Sequence, residues 1–394
     1  MANRLSLKWK LILGAIAVLL FVISALAGLV QVNETAHLIY KRYKTFDRYV
    51  FEEVRPQLAA QDSRALISID DPAGMELLRR DVSALIYGND GSRKKEHAFK
   101  AYGQSIELLT AADFDFVKEA RRFYVAQRDG GVLSFLYYME PDSPDPTRAA
   151  IFHNGFASDF TEMRPMIEAL LKAGYTVVAL DQYGYGESSR EAPCEIPEYD
   201  VECEANLQYG FDRLKAPLAL HIEPVRAAID LLEKRGFNSV DAVGFSAGSG
   251  TVVLAASVEP RIRRSVAVAG TLPYYLREGQ DAPIGVADYA PLKDMASLID
   301  LYILGASGEG RAQMHLFNRF DRCCFRNLKG RQYEPAVQDA VQSLGLGGNF
   351  GVSIDETHAR HTISDWGVAR VMDFLTGGTP TGSSVTDSID KDLQ

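Results

Sequence analysis

Residues 243–250 read VGFSAGSG, and the environment of Ser246 in this stretch decides the fold. A Gly-x-Ser-x-Gly run by itself is a small-residue turn. It carries chemistry when an apolar strand leads into it and a helix leaves it, because the sharp turn then lifts the serine hydroxyl clear of a sheet edge. The preceding residues, SVDAVGF (239–245), suit a buried strand. Those that follow, SAGSGTVVLAASVEP (246–260), suit a buried helix.

The same alternation extends in both directions. FYVAQRDGGVLSFLYYME (123–140) predicts two strands around the turn residues Asp129-Gly130-Gly131. AAIFHNGF (149–156), TVVAL (176–180), RSVAVAG (264–270), DLYILG (300–305) and FGVSID (350–355) read as further strands. Helical spacing marks Met163, Ile167, Leu170 and Leu171, then Val225, Ala228, Ile229 and Leu232, and a closing helix DWGVARVMDFL (365–375). Apolar strands alternating with amphipathic helices predict an α/β fold with a mostly parallel sheet covered on both faces.

At this point the sequence resembles the α/β-hydrolase superfamily over residues 121–376. GFSAG (244–248) looks like its nucleophile turn, GYTVVALDQYGYGES (174–188) like the strand and loop that precede it, and IFHNGFASDF (151–160) like its oxyanion loop. The set most resembles serine hydrolases of the monoglyceride-lipase and lysophospholipase type. The resemblance implies Ser246 as nucleophile, with backbone N–H groups of Ala247 and Phe156 as oxyanion donors. The family often has His-Gly where this chain has Asn154-Gly155, so Phe156 is assigned by position, and His153 is expected to be structural. The base should follow the last strand, where His361 fits the family position better than His358. The acid should follow DLYILG, which favours Glu309 in LGASGEG (304–310), with Asp321 in RFDRCCF (319–325) second and Asp355 third.

The implied function is ester hydrolysis through an acyl-enzyme on Ser246, acting on a small-molecule or lipid ester without cofactor. A thioesterase or peptidase would use the same residues. The alternative class is a non-catalytic binding protein on a hydrolase fold, which the survival of nucleophile and histidine in order disfavours.

The N-terminus adds a second element. Leu11–Val30 is twenty residues without a charge, and at about 1.5 Å per residue it can cross a hydrocarbon core of about 30 Å. Residues 1–30 are therefore expected to be a signal anchor, a single-pass membrane helix. Arg4, Lys8 and Lys10 before it place the N-terminus in the cytoplasm and the remainder outside, although Lys41, Arg42, Lys44 and Arg48 weaken that signal. The alternative is a signal peptide cleaved after Ala27, in Ala25-Leu26-Ala27. Residues 31–120 read as a helical connector, with a stripe of Ile39, Tyr43, Phe46, Val50 and Val54 and a second helix that Asp71-Pro72 opens and Gly88 ends.

Insertions at 188–218 and 271–292 would form a lid over the site, and residues 377–394 read as a disordered tail. A formal net charge of −10 without a basic block gives nucleic-acid binding no electrostatic support. The four cysteines include no Cys-x-x-Cys, and the histidine nearest to Cys203, His221, is too distant along the chain for zinc spacing, so no metal is expected. In an oxidising compartment Cys194 and Cys203 could close a loop within the lid, whereas the adjacent Cys323 and Cys324 could bond to each other only with strain.

Overall fold

A computed structural model describes residues 7–32, 54–88, 100–101, 116–126, 132–156, 159–186, 217–277 and 289–384, with Ala36, Tyr40 and Val286 besides. Among them the strands are β1 (Lys100–Ala101), β2 (Val117–Ala126), β3 (Val132–Pro141), β4 (Ala149–His153), β5 (Thr176–Leu180), β6 (Val240–Phe245), β7 (Ile262–Val268), β8 (Ala312–Asn318), β9 (Asn349–Asp355) and β10 (Gly382–Ser383). The helices are α1 (Leu7–Val32), α2 (Pro56–Ala59), α3 (Pro72–Tyr87), α4 (Arg164–Lys172), α5 (Pro217–Lys234), α6 (Ala247–Val258), α7 (Ala290–Met295), α8 (Leu298–Ala306), α9 (Gly330–Ser343) and α10 (Asp365–Leu375).

The strands form one sheet in the order β1-β2-β3-β5-β4-β6-β7-β8-β9-β10. The pairs β1/β2, β2/β3 and β3/β5 are antiparallel. From β5 to β10 every pair is parallel. Parallel strands need both faces covered, and the period-two alternation of side chains divides the core accordingly. Ile151, Val178, Ala242, Phe317 and Val352 share one apolar cluster with residues of α3, α5, α6, α8 and α9. Phe152, Val177, Val243, Val266 and Leu316 share another with residues of α4 and α10.

The strand expected at 300–305 is instead part of helix α8. Ser297 and Asp300 form a reciprocal capping box at its start, which holds the first turn helical. The whole helix is buried, so its apolar residues lack the one-sided pattern that distinguishes a helix from a buried strand. The strand at this place in the order is β8, whose Gln313, His315 and Asn318 are buried and polar.

Residues 72–87 belong to the same core as the sheet. Met75, Val82 and Ile86 lie in the cluster with α5 and α6, and the Arg79 guanidinium donates to the carbonyls of Ser257 and Leu304. The expected cap is present, with the Asp71 carboxylate accepting from Gly74 N–H. The tail is ordered further than its composition predicts. β10 pairs with β9 through Gly382 and Ser383, and Arg370 donates to the carbonyls of Thr379 and Thr381. These charged donors satisfy the backbone of a segment that has no apolar face of its own.

Helix α1 contains Ile12–Val30, long and apolar enough to cross a membrane, and none of that window is buried against the rest of the chain. Ile39, Tyr43, Phe46 and Val50 of the stripe, residues 188–216 of the first insertion with Cys194 and Cys203, and most of 278–288 lie outside the described residues.

Candidate active site

Ser246 stands between β6 and α6 with φ 53° and ψ −121°. A residue with a side chain rarely adopts positive φ, and a position held there by its surroundings marks a site where strain serves a purpose. The flanking glycines show what enforces the turn. A Cβ on Gly244 would lie 2.3 Å from the Gly248 carbonyl oxygen, and one on Gly248 would lie 2.3 Å from that of His153. The crossing of strand and helix therefore has no room for a methyl group at either position.

Ser246, the oxyanion segment, and the loops after β8 and β9 all lie at the carboxyl ends of parallel strands, where open α/β sheets gather their ligands. His361, between β9 and α10, presents Nε2 to Ser246 Oγ at 2.9 Å. Its Nδ1 lies 2.7 Å from Asp321 Oδ2. The carboxylate fixes the ring proton on Nδ1, which leaves Nε2 as the acceptor for the serine hydroxyl. The imidazole also packs against Phe245, with ring centroids 4.9 Å apart.

Asp321 is fully buried, and its remaining oxygen is occupied. Oδ1 accepts the backbone N–H groups of Cys323 at 2.7 Å and Cys324 at 3.4 Å. Asn318 Nδ2 donates to Oδ2 at 3.3 Å and to the Thr362 carbonyl at 2.9 Å. Arg322 N–H donates to the Ala359 carbonyl. The turn that carries the acid is thereby tied to the loop that carries the histidine.

Glu309, the residue favoured from sequence, is not near this histidine's partner set. It is exposed in the turn that precedes β8, at the opposite end of that strand from Asp321. The expectation followed from reading 300–305 as the strand; with β8 at 312–318, the carboxylate that meets His361 follows it by three residues, at Asp321.

His358 has a different partner. Its Nε2 lies 3.3 Å from Asp355 Oδ2, and its Nδ1 accepts the Arg360 N–H at 3.2 Å. Asp355 also accepts from Thr357 and from Ser364, the N-cap of α10. This buried pair shapes the loop without touching the serine.

Ala247 is the first residue of α6, where backbone N–H groups have no intrahelical acceptor. Phe156 follows Gly155, whose Cβ position would fall 2.7 Å from Ser246 Cβ and 3.2 Å from its Oγ. Both expected oxyanion donors thus lie next to the serine along the chain or across this contact. The Phe156 ring packs on Tyr185, centroids 5.2 Å apart.

The sequence reading expected a structural His153 but missed the buried Gln182–His221 pair near it. Gln182 Nε2 pairs with His221 Nδ1 at 2.9 Å. Burial drives His221 down to about 3, with His153 nearby adding to the shift. His153 is itself brought to about 4 by burial, and its Nδ1 bonds the Asn154 carbonyl. Both rings are neutral supports at ordinary pH. Cys323 and Cys324 are joined as a disulfide in the acid's turn.

The model of the alpha/beta hydrolase fold family matches residues 150–374, more than half of the chain. This chain belongs to that family. Among solved structures, the hydrolase is similar to acetyl xylan esterase 1 from Thermoanaerobacterium sp. JW/SL YS485, with a TM-score of 0.51 at 14% identity over 80% of this chain and 97% of that one. Acetyl xylan esterase from Paenibacillus sp. R4 gives a TM-score of 0.51 at 13% identity, over 80% and 98%. Methylesterase BT1017 gives 0.53 at 17% identity, over 81% of this chain and 66% of that one. At these identities the likeness is one of fold.

Proposed function

We propose that this hydrolase is a membrane-anchored serine esterase that cleaves carboxylic esters through an acyl-enzyme. The observation that carries the reading is the unbroken hydrogen-bonded line from Ser246 Oγ through His361 to Asp321. A serine hydroxyl is a weak nucleophile until a base stands within reach of its proton. His361 Nε2 takes that proton as Oγ attacks the ester carbonyl, and Asp321 steadies the imidazolium that results. Ala247 and Phe156 N–H groups receive the negative charge on the tetrahedral oxygen, each donor worth about 3 kcal/mol to the transition state. His361 then protonates the departing alcohol. Water, activated by the same nitrogen, releases the acid and restores Ser246.

Glu309 has no role in this scheme. The similar structures named as acetyl xylan esterases and a methylesterase recommend short acyl and alkyl esters as first substrates. The lipase-type resemblance recommends long-chain esters beside them. The apolar α1 supports attachment to a membrane, and Arg4, Lys8 and Lys10 before it support a hydrolase domain outside the cytoplasm.

A fluorophosphonate probe tests the reading directly. The wild-type chain should be labelled on Ser246, and Ser246→Ala should be unlabelled and inactive on p-nitrophenyl acetate. Wild-type protein that is folded yet neither labelled nor active on short or long esters would favour a binding protein on this fold.

A further inference from the structure

The acid's turn contains donor atoms that the proposed reaction does not use. Cys323 Sγ, Cys324 Sγ and a ring nitrogen of His361 all lie within 4.8 Å of one another. Cys323 is exposed and Cys324 buried, so the group opens to solvent on one side. Its frame is fixed, because Asp321 Oδ1 accepts both cysteine N–H groups while Oδ2 faces His361. No spacing rule along the chain would find this set, since the histidine arrives from a different loop.

We propose that Cys323, Cys324 and His361 form a site for a thiophilic divalent cation in the reduced protein, and that the cation switches the hydrolase off. Two sulfurs and an imidazole are the donor set of soft metal sites, with metal–sulfur bonds of about 2.3 Å and metal–nitrogen bonds of about 2.0–2.1 Å. Tetrahedral bonds of those lengths separate the donors by roughly 3.5–3.8 Å. The observed group needs a closing movement of about an ångström at the histidine and a parting of the two sulfurs.

The disulfide is the gate. Thiolates, not disulfide sulfurs, are the ligands. A phosphine reductant opens the bond: phosphorus takes the oxygen of one water, and that water's two protons end on the two sulfurs. The cation then displaces both thiol protons to solvent, so its two charges are balanced by two thiolates, and it takes one lone pair from the imidazole. A metal on Nε2 occupies the lone pair that faces Ser246. A metal on Nδ1 breaks the link to Asp321. Either removes the base.

The test uses the full chain carrying Cys194→Ser and Cys203→Ser, so that no other cysteine competes. Protein reduced with a phosphine, desalted under inert gas and titrated with cadmium chloride should bind one cadmium per chain with an ultraviolet thiolate-to-cadmium band. The oxidised protein should bind none. Fluorophosphonate labelling, which rests on the proposed esterase reading, should fall at least tenfold in step with occupancy and return on adding EDTA. Cys323→Ser, measured against its own cadmium-free rate, should lose the band and the inhibition. His361→Gln should keep a thiolate band but bind at least tenfold more weakly. Absence of stoichiometric cadmium in the reduced protein overturns the site, as does equal affinity in His361→Gln. Cadmium bound with undiminished labelling overturns the switch. If the protein proves to have no labelling at all, the band and the affinity still decide the site, separately from the esterase reading.

Discussion

The backbone of Gly155 passes so close to Ser246 that a methyl group added there would sit 2.7 Å from the serine Cβ. Gly155→Ala therefore has to push either the serine or the oxyanion segment aside. Misplacement by about 1 Å costs about 10²-fold in turnover. We expect a loss of that order in fluorophosphonate labelling rate, with the melting temperature lowered by a few degrees at most. A variant as fast as wild type would show that the close passage has no bearing on the chemistry.

The first two of the three carboxylates weighed from sequence should separate cleanly. Asp321→Asn keeps the shape but loses the acceptor that orients His361, and should cost about 10⁴-fold in kcat. Glu309→Ala should stay within about twofold of wild type, since substitutions at exposed sites away from special features act weakly. Ser246→Ala and His361→Ala should each cost up to about 10⁶-fold, because such residues act as a unit. Steady-state rates on one p-nitrophenyl ester, with melts to show folding, decide all four. A large loss in Glu309→Ala would return the acid to that turn.

His358→Ala should act on stability instead. It removes one partner of the buried Asp355, which keeps Thr357 and Ser364, so the loss should be about 1 kcal/mol. Urea titration should show that loss while kcat holds within about tenfold. An inactive but fully stable variant would exchange the roles of the two histidines.

Acid should weaken the fold in the range where histidine ordinarily titrates. Burial lowers His153 to about 4 and His221 and His315 to about 3, against 6.5 in the unfolded chain. Between those values the unfolded state binds more protons, so this stability is complete above about pH 6.5 and is lost as pH falls toward the folded values. Each ring contributes at most about 1.4 kcal/mol per pH unit, and the three together about 4 near pH 5. Urea midpoints at pH 7, 6 and 5 measure this. A flat response across that interval would mean that the rings are protonated in the fold.

Arg79→Ala should loosen the N-terminal side of the molecule. It withdraws a buried guanidinium from the Ser257 and Leu304 carbonyls, at a cost of about 2–3 kcal/mol. Limited proteolysis should then cut near residue 88 sooner than in wild type, and equal cutting rates would argue against the clasp. For topology, a reporter fused after Gln394 should be active only when exported; activity confined to the cytoplasm would overturn the proposed orientation.

Much of this architecture can be read from the residues. TVVAL is β5 as written, and Asp71 and Gly88 bound α3 as their chemistry requires. The serine's turn and His361 were also legible, because strand, turn and closing helix each have a strong local pattern. The carboxylate beside His361 ranked second, behind Glu309, and the reason is specific. α8 is buried on every side and reads as apolar strand, while β8 carries Gln313, His315 and Asn318 into the core and reads as loop. Besides the short-range bonds of His315 to Gln313 and of Asn318 to Asp321, those polar residues find partners far along the chain. His315 Nδ1 meets the Tyr333 hydroxyl, and Gln313 Nε2 meets Ser265 Oγ. Local pattern cannot register a hydrogen bond whose other half lies elsewhere in the fold.

β10 has a consequence for how the molecule behaves among its own copies. Without it β9 would end the sheet as a seven-residue edge, its amides and carbonyls open to any extended chain. Gly382 and Ser383 cover part of that edge, and the Arg331 guanidinium occupies the Gly382 carbonyl. Where β10 covers it, the border is two residues long and partly blocked by a cation, a poor template for a neighbouring strand. A segment whose composition marks it as an idle tail thus shields part of the sheet's last edge, and cutting the chain at Thr376 would leave β9 open along its whole length.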